Sequence, residues 1–295
     1  MSFNGNLDGG LCRLEPLVEG GNSDIYEIIT PLKGRSHVLK RMQPSETNQR
    51  MHRVETEVYK LLQKSPRKIA PELVRYGNTD EELYIILEKA KTDLLYLVME
   101  PGPEVNFCKK CVLRSVTQAV MDLHARKVAH LDIKPENVLI SDSGEIWLCD
   151  FGCSVICKSY DGTYSGNVGT CFYSAPEITL SNNYNPFLAD IWSVTMLFYV
   201  MLTNVFPYTQ KEIELLEQRI DVISEKNFNI SLEATKASDS DKAFLKRILE
   251  KRPTFRKSLA EILRDSWFDC DDYHIVEFKI SDQIQNPKKR RCTIV

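Results

Sequence analysis

A carboxylate, an ammonium and an amide lie close together in residues 130–137. Asp132 is a suitable acceptor for the proton of an attacking hydroxyl, and the ammonium of Lys134 can neutralise charge on a phosphate during its transfer. Asn137 adds an amide oxygen, a hard ligand suited to a metal ion. These residue types at this spacing indicate phosphoryl-transfer chemistry.

Two further motifs follow along the chain. Asp150-Phe151-Gly152 comes soon after the apolar run Ile146–Leu148, and Ala175-Pro176-Glu177 lies further on. One triplet of this kind is uninformative, whereas three motifs in this order and spacing are highly specific. Over roughly residues 14–268 the chain resembles a eukaryotic protein kinase of the serine/threonine type.

The resemblance implies an α+β, two-lobed protein kinase fold, in which a five-stranded sheet with one helix precedes a mainly helical lobe. Short β-rich runs predict strands at residues 14–18, 25–30, 37–42, 73–76 and 83–87. Val54, Val58 and Leu61 recur at helical spacing and predict the helix beside the sheet. Further helices are predicted at residues 107–125, 189–202, 212–223, 239–249 and 259–264. We expect an N-lobe with a short N-terminal extension at residues 1–90, a C-lobe at 91–272 and a basic tail at 273–295.

The segment between the first two strands is similar to the family's glycine-rich loop, which covers the nucleotide phosphates. The resemblance places Val18, Gly20, Ser23 and Ile25 at its characteristic positions. Val18 and Ser23 stand where the family has glycines, so we expect a modest affinity for nucleotide.

Lys40 is similar to the family's strand lysine, which contacts the α- and β-phosphates. We predict Glu57 in the following helix as its ion-pair partner. Glu57 is preferred to Glu55 because it directly precedes the run Val58-Tyr59-Lys60-Leu61, as in the family pattern.

The hinge between the lobes is expected after the fifth strand. There the resemblance makes Leu87 the residue that limits access behind the adenine, and it implies adenine contacts from the backbone of Glu88 and Ala90. Asp93 is the expected partner of the ribose hydroxyls.

The catalytic roles follow from the same resemblance. Asp132 is the general base or orients the hydroxyl, and Lys134 stabilises the transferred phosphoryl group. Asn137 and Asp150 hold Mg²⁺, so the expected cofactors are ATP and Mg²⁺. The predicted function is transfer of the ATP γ-phosphate to Ser or Thr hydroxyls of protein substrates. The alternative is a pseudokinase or scaffold module delivered by its C-terminal tail, which only the altered glycine-rich loop favours.

Leu131 stands where most family members have an arginine that binds an activation-loop phosphate. Because leucine cannot make this charge-assisted contact, we predict that activity depends little on phosphorylation of Ser159, Thr163 or Ser165.

Two structural contacts are also implied by the resemblance. Glu177 is expected to form a buried ion pair with Arg252 in Lys251-Arg252-Pro253-Thr254. Asp190 is expected to anchor the backbone of the catalytic loop.

The composition limits the classes of function. The chain has 295 residues, a net charge of −3 and nine cysteines. This charge gives no support for direct binding of nucleic acid, and an odd cysteine count without a regular framework favours free thiols in a reducing compartment. Cys108-Lys109-Lys110-Cys111 has no second pair at zinc spacing, which favours two cysteines on a helix. No signal-peptide pattern precedes the domain, and the most apolar stretch, residues 191–206, is too short to span a bilayer, so we expect a cytoplasmic protein.

The tail contains Lys288-Lys289-Arg290-Arg291, followed by Cys292-Thr293-Ile294-Val295. Cys292 resembles a prenylation signal, for which the basic run is the second membrane signal that a single chain needs. The basic run also fits a nuclear-import patch, and the last residues fit a ligand of PDZ-type domains. The expected partners are therefore protein substrates. Through residues 292–295 we also expect either peripheral association with a membrane or binding to a PDZ-type domain. The nucleus is the alternative location.

Overall fold

The computed structural model describes residues 13–19, 23–29, 36–79, 81–99, 105–166, 168–181, 183–269 and 276–278. Its strands are β1 Arg13–Glu19, β2 Asp24–Ile29, β3 His37–Met42, β4 Leu73–Asn78, β5 Leu83–Glu88, β6 Thr92–Asp93, β7 Val105–Phe107, β8 Val128–Ala129, β9 Val138–Ile140, β10 Ile146–Leu148, β11 Val155–Ile156 and β12 Val276–Phe278. Its α-helices are α1 Glu46–Leu62, α2 Leu94–Met99, α3 Lys109–Ala125, α4 Pro176–Leu180, α5 Pro186–Thr203, α6 Gln210–Glu217, α7 Phe228–Glu233, α8 Asp239–Ile248 and α9 Leu259–Leu263. Short 3-10 helices lie at Pro135–Asn137, Phe151–Cys153, Pro253–Phe255 and Ser266–Phe268.

The first part of the chain forms a five-stranded antiparallel sheet with strand order β1-β2-β3-β5-β4. Helix α1 packs beside this sheet, and the hydroxyl of Ser45 caps its N-terminus by accepting from the N–H of Asn48 at 3.1 Å. The predicted α+β fold with a five-stranded sheet and one helix is confirmed. The predicted domain limits stay predictions.

Helices dominate the second part of the chain. Almost all of α5 is buried, and α3 packs beside it with one fully buried face that includes Val112, Val116 and Leu123. Helix α5 is long and apolar enough to span a membrane, with a mean hydropathy of 1.4, yet 89% of it is buried inside the fold. This burial is what the core helix of a globular domain shows.

One hydrophobic core runs through both parts. It joins Val58 and Ile85 of the first part to Val116, Leu148 and Phe198 of the second. Because this core is continuous, the residues on β3 and α1 are held in a fixed relation to the loops around β9 and β10.

Four helices differ from the sequence-based expectation. Helix α6 ends at Glu217 rather than near residue 223, because Arg219 takes a left-handed conformation with φ 59° that a helix cannot continue. The short helices α2, α4 and α7 were not predicted, since each has too few residues to show a helical period.

Candidate active site

Lys40 on β3 is the centre of a buried ion cluster. Its ammonium donates to Oε1 and Oε2 of Glu55 at 3.0 and 2.8 Å, and to Oδ1 of Asp150 at 2.8 Å. The Lys40 side chain is 9% exposed and that of Glu55 is 1% exposed, so water screens this contact little. One ammonium group therefore connects strand β3 to helix α1 and to the segment before the 3-10 helix at Phe151–Cys153.

The prediction that Glu57 pairs with Lys40 is wrong, because Glu55 takes this place. Glu55 shares the buried face of α1 with Val58, Tyr59 and Leu62, which follow it by three, four and seven residues. Glu57 lies two residues further on, on the opposite face, and is exposed. The helical period of the apolar residues was the signal that identifies Glu55.

The charges of Lys40 and Asp150 stabilise each other, whereas burial raises the pKa of Glu55 to about 7. Burial alone would lower the pKa of Lys40, but the charges of Glu55 and Asp150 outweigh it and raise that pKa, which keeps the ammonium charged. The ammonium in turn lowers the pKa of Asp150 to about 2. Asp150 is therefore a carboxylate at neutral pH, and its side chain keeps 42% exposure toward the cleft.

Phe151 connects α1 to the catalytic loop. It is fully buried, with its ring centroid 5.0 Å from that of Tyr59 on α1 and 5.1 Å from that of His130. Asp150, just before it, has φ 59°. This left-handed residue lets the chain bury Phe151 while the Asp150 carboxylate stays at the cleft.

The Asp132 carboxylate is held by three neighbours. Thr170 donates to its Oδ1 from both the backbone N–H and the hydroxyl, each at 2.8 Å. The amide nitrogen of Asn137 donates to Oδ2 at 3.0 Å, and the ammonium of Lys134 lies 3.2 Å from the same oxygen. Lys134 also donates to the Thr170 hydroxyl at 2.8 Å. Asp132 and Lys134 thus lie together as predicted from sequence, while the part played by Thr170 was not predicted.

Asp190 on α5 holds the backbone of the catalytic loop. Its Oδ2 accepts from the N–H of His130 at 2.7 Å, and its Oδ1 accepts from the N–H of Leu131 at 2.8 Å. Asp190 is fully buried, and His124 on α3 adds a third contact at 2.8 Å. The predicted anchoring role of Asp190 is confirmed.

Leu131 packs inside the protein instead of facing a phosphate. It is 4% exposed and belongs to an apolar cluster with Tyr173, Ala175 and Trp192. The segment after Cys153 is held by other contacts, among them the pair of backbone hydrogen bonds between Tyr164 and Tyr184 at 2.8 and 3.0 Å.

Helix α1 also contacts this segment. The guanidinium of Arg50 donates to the Tyr164 hydroxyl at 3.0 Å, and the Tyr184 hydroxyl donates to the carbonyl of Gly166 at 2.8 Å. These contacts join the segment to α1 and to the residues just before α5.

The predicted ion pair of Glu177 with Arg252 is wrong, because Glu177 binds Arg256. Two nitrogens of Arg256 donate to the two carboxylate oxygens of Glu177 at 2.6 and 2.8 Å, and the Arg256 side chain is 1% exposed. Arg252 is 67% exposed and pairs with Glu250. The 3-10 turn at Pro253–Phe255 separates the two arginines and directs only the second one inward.

The described part of the predicted phosphate-covering loop lies beside Lys40. In the sheet register Val18 pairs with Ile25, and Ile25 pairs with Lys40. Val18 is 47% exposed, whereas Ser23 and Ile25 are half-buried. Gly20 lies outside the described residues. The roles of these residues in nucleotide binding stay predictions.

The predicted hinge residues follow β5. The N–H of Glu88 donates to the Glu72 carbonyl at 2.9 Å, and its carboxylate pairs with Lys68. Ala90 is half-buried, and Oδ1 of Asp93 accepts from the N–H of Tyr96 at 2.8 Å, so Asp93 also caps α2. The adenine and ribose contacts stay predictions.

Asn137 and Asp150 offer oxygen donors that fit a divalent cation. Asn137 turns its amide nitrogen to Asp132, which leaves its carbonyl oxygen as the atom suited to a cation. Carboxylate and amide oxygens are the ligands that Mg²⁺ prefers. In the part of the chain that the structure describes, no group of three or more His, Cys, Asp or Glu side chains forms another metal site.

Two cysteines border the site, and both are protonated at neutral pH. Burial raises the pKa of the Cys149 thiol well above its usual value and that of Cys153 to about 11. Cys108, from the isolated CxxC motif, instead caps α3 by accepting from the N–H of Cys111 at 3.3 Å.

Comparison with known proteins identifies the family. The protein kinase domain model matches residues 13–268. The chain is 31% identical over 192 residues to CBL-interacting serine/threonine-protein kinase 15 of Arabidopsis thaliana, an alignment that covers 64% of this chain and 44% of that protein. It is 29% identical over 257 residues to CBL-interacting serine/threonine-protein kinase 9 of the same plant, with 78% of this chain and 55% of that protein covered. The chain thus spans about half the length of these relatives. With the family model covering most of its length, the chain belongs to the protein kinase family.

Proposed function

We propose that this protein is an ATP-dependent serine/threonine kinase, which transfers the γ-phosphate of ATP to Ser or Thr hydroxyls of protein substrates. The observation that carries this proposal is the joining of Lys40, Glu55 and Asp150 in one buried ion cluster. A lysine held between two carboxylates on different elements is oriented toward the phosphates only when α1 is packed inward. This ion cluster supports a nucleotide site in which Lys40 is already oriented.

Asp132 and Lys134 supply the chemistry at the acceptor. The Asp132 carboxylate accepts the proton of the substrate hydroxyl or orients that hydroxyl for attack. The ammonium of Lys134, 3.2 Å from this carboxylate, stabilises the negative charge of the phosphoryl group in the transition state.

The nucleotide and metal would bind between Lys40 and the catalytic loop. Protein kinases use ATP with a divalent metal ion, and we propose Mg²⁺ because Asp150 and Asn137 offer hard oxygen donors. A metal ion held by Asp150 and Asn137 would neutralise negative charge on the phosphates. Lys40 orients the α- and β-phosphates through its ammonium.

The names of the similar proteins, which are serine/threonine-protein kinases, support Ser or Thr as the acceptor. No observation on the described residues favours the scaffold alternative. Kinase activity is the only property of these relatives that we propose for this chain, because the chain spans 44% of the first of them.

Transfer of radiolabelled phosphate from ATP with Mg²⁺ to a mixed peptide library tests this function. Asp132→Asn should reduce kcat by about 10²- to 10³-fold, the usual loss for an electrostatic transition-state group. Asp142→Asn is the matched control, because Asp142 is an exposed residue in the turn after β9. Labelled phosphotyrosine in place of phosphoserine or phosphothreonine, or transfer unchanged by Asp132→Asn, would contradict the proposal.

We propose that the protein is cytoplasmic and associates with a membrane through its C-terminal tail. The basic run at residues 288–291 followed by Cys292 supports this proposal. A single lipid chain binds a membrane only weakly, and the basic run would supply the second membrane signal that it needs. These residues lie outside the described part of the chain. Cys292→Ser should lower the membrane fraction of the full chain; an unchanged fraction would leave nuclear import or a PDZ-type partner to explain the tail.

A further inference from the structure

The peptide unit between Gly169 and Thr170 makes a hydrogen bond at each end. Its carbonyl accepts from Nη2 of Arg219 at 2.8 Å. Its N–H donates to Oδ1 of Asp132 at 2.8 Å. Since a peptide unit is planar and rigid, Arg219 and the Asp132 carboxylate are connected through a single fixed group.

Gly169 has no room for a side chain next to the catalytic loop. Its φ is +83°, and a Cβ at this position would lie 2.2 Å from the carbonyl oxygen of Leu131, the residue before Asp132. The peptide is therefore confined by Leu131 on one side and held by Arg219 on the other. Only glycine can occupy this position without a clash.

The conformation of Arg219 costs free energy. Arg219 follows α6 with φ 59°, a left-handed conformation that is unfavourable for a residue with a side chain. Its Nη1 atom is buried without a hydrogen-bond partner among the described residues, which also destabilises the fold. Features that cost stability are expected where a residue serves function instead.

We propose that Arg219 is a positioning residue for phosphoryl transfer, which fixes the Gly169–Thr170 peptide and through it the Asp132 carboxylate. The inference rests on the proposed kinase activity. A cation at the carbonyl end of the peptide also strengthens the hydrogen bond that its N–H donates, because linked hydrogen bonds polarise one another. Fixing this peptide also positions Lys134, which donates to the Thr170 hydroxyl at 2.8 Å.

Arg219→Met tests the proposal, because methionine keeps most of the side-chain volume and removes both charge and donors. Its kcat should fall about 10-fold, since misplacing a catalytic group by about 1 Å costs up to roughly 100-fold. The KM values for ATP and peptide should stay within about twofold, because a residue that acts through the position of Asp132 changes the chemical step and not substrate binding. Arg219→Lys keeps a cationic donor and should recover most of the lost kcat.

Two further measurements separate positioning from a general loss of structure. The melting temperature of Arg219→Met should match that of the native chain, whereas hydrogen exchange in the peptide covering residues 168–174 should become faster. Arg264→Met, which alters an exposed arginine at the end of α9, is the matched control and should leave kcat unchanged.

The outcomes distinguish this inference from the kinase assignment. Two results would overturn the positioning role alone, provided that the native protein is active. The first is a kcat of Arg219→Met within about twofold of the native value, and the second is a kcat of Arg219→Lys no higher than that of Arg219→Met. A native protein that transfers no phosphate would overturn the proposed function, and the inference with it.

Discussion

Lys40 donates to both carboxylate oxygens of Glu55, at 3.0 and 2.8 Å, while Glu57 on the same helix faces solvent. The pair joins β3 to α1, and Asp150 at 2.8 Å from the same ammonium extends it to the side of the cleft where we propose that a metal ion binds. The geometry at Lys40 thus depends on how α1 is packed against the sheet.

Glu55→Gln should strongly reduce activity, and Glu57→Gln should not. A hydrogen bond to a charged group contributes about 1.5–3 kcal/mol, so the loss in kcat/KM should be about 10- to 100-fold for Glu55→Gln. The two variants make the same chemical change two residues apart on α1. Steady-state kinetics with peptide and ATP measure it, and a larger loss for Glu57→Gln would show that the helix faces are assigned wrongly.

Arg256→Met should destabilise the domain far more than Arg252→Met. Removing one partner of a buried ion pair leaves Glu177 uncompensated and costs about 3–5 kcal/mol. Arg252 is 67% exposed, and its pair with Glu250 should contribute about 0–1 kcal/mol. Urea unfolding of both variants gives the comparison, and equal midpoints would contradict the assignment of Arg256 as the buried partner.

A negative charge in the segment after Cys153 should have little effect on activity. Leu131 is buried in an apolar cluster and offers no guanidinium to a phosphate, so Thr163→Glu should change kcat by less than about twofold. Thr163→Gln is the neutral control. A tenfold rise in kcat for the Glu variant over the Gln variant would show that another cation receives the charge.

Cys149 and Cys153 should react slowly with electrophiles at neutral pH. The thiolate is the reactive form, and burial raises the pKa of Cys149 well above its usual value and that of Cys153 to about 11. Below that pKa the thiolate fraction, and hence the rate for Cys153, should increase about tenfold for each pH unit. Mass spectrometry after timed iodoacetamide treatment at several pH values measures this. Fast labelling of Cys153 at pH 7 that does not increase with pH would contradict it.

The sequence by itself determined the family and the fold class, and it indicated most of the residues that we propose for catalysis. Motifs such as the segment around Asp132 and the triplet at Asp150 combine specific residue types with fixed spacing, because the chemistry allows few substitutes. Strands β1 to β5 and helices α3, α5 and α8 were predicted to within a few residues, since each is long enough to show its hydrophobic period.

Tertiary structure decided the partners of the charged residues. Two carboxylates on α1 are candidates for Lys40 by spacing, and Arg252 was the predicted partner of Glu177. Only burial selects Glu55 and Arg256. The link from Arg219 to Asp132 spans residues distant in sequence and passes through a backbone carbonyl. A backbone group carries no residue type, so no sequence pattern marks such a contact, and it exists only once the loops around α6 and Thr170 have packed together.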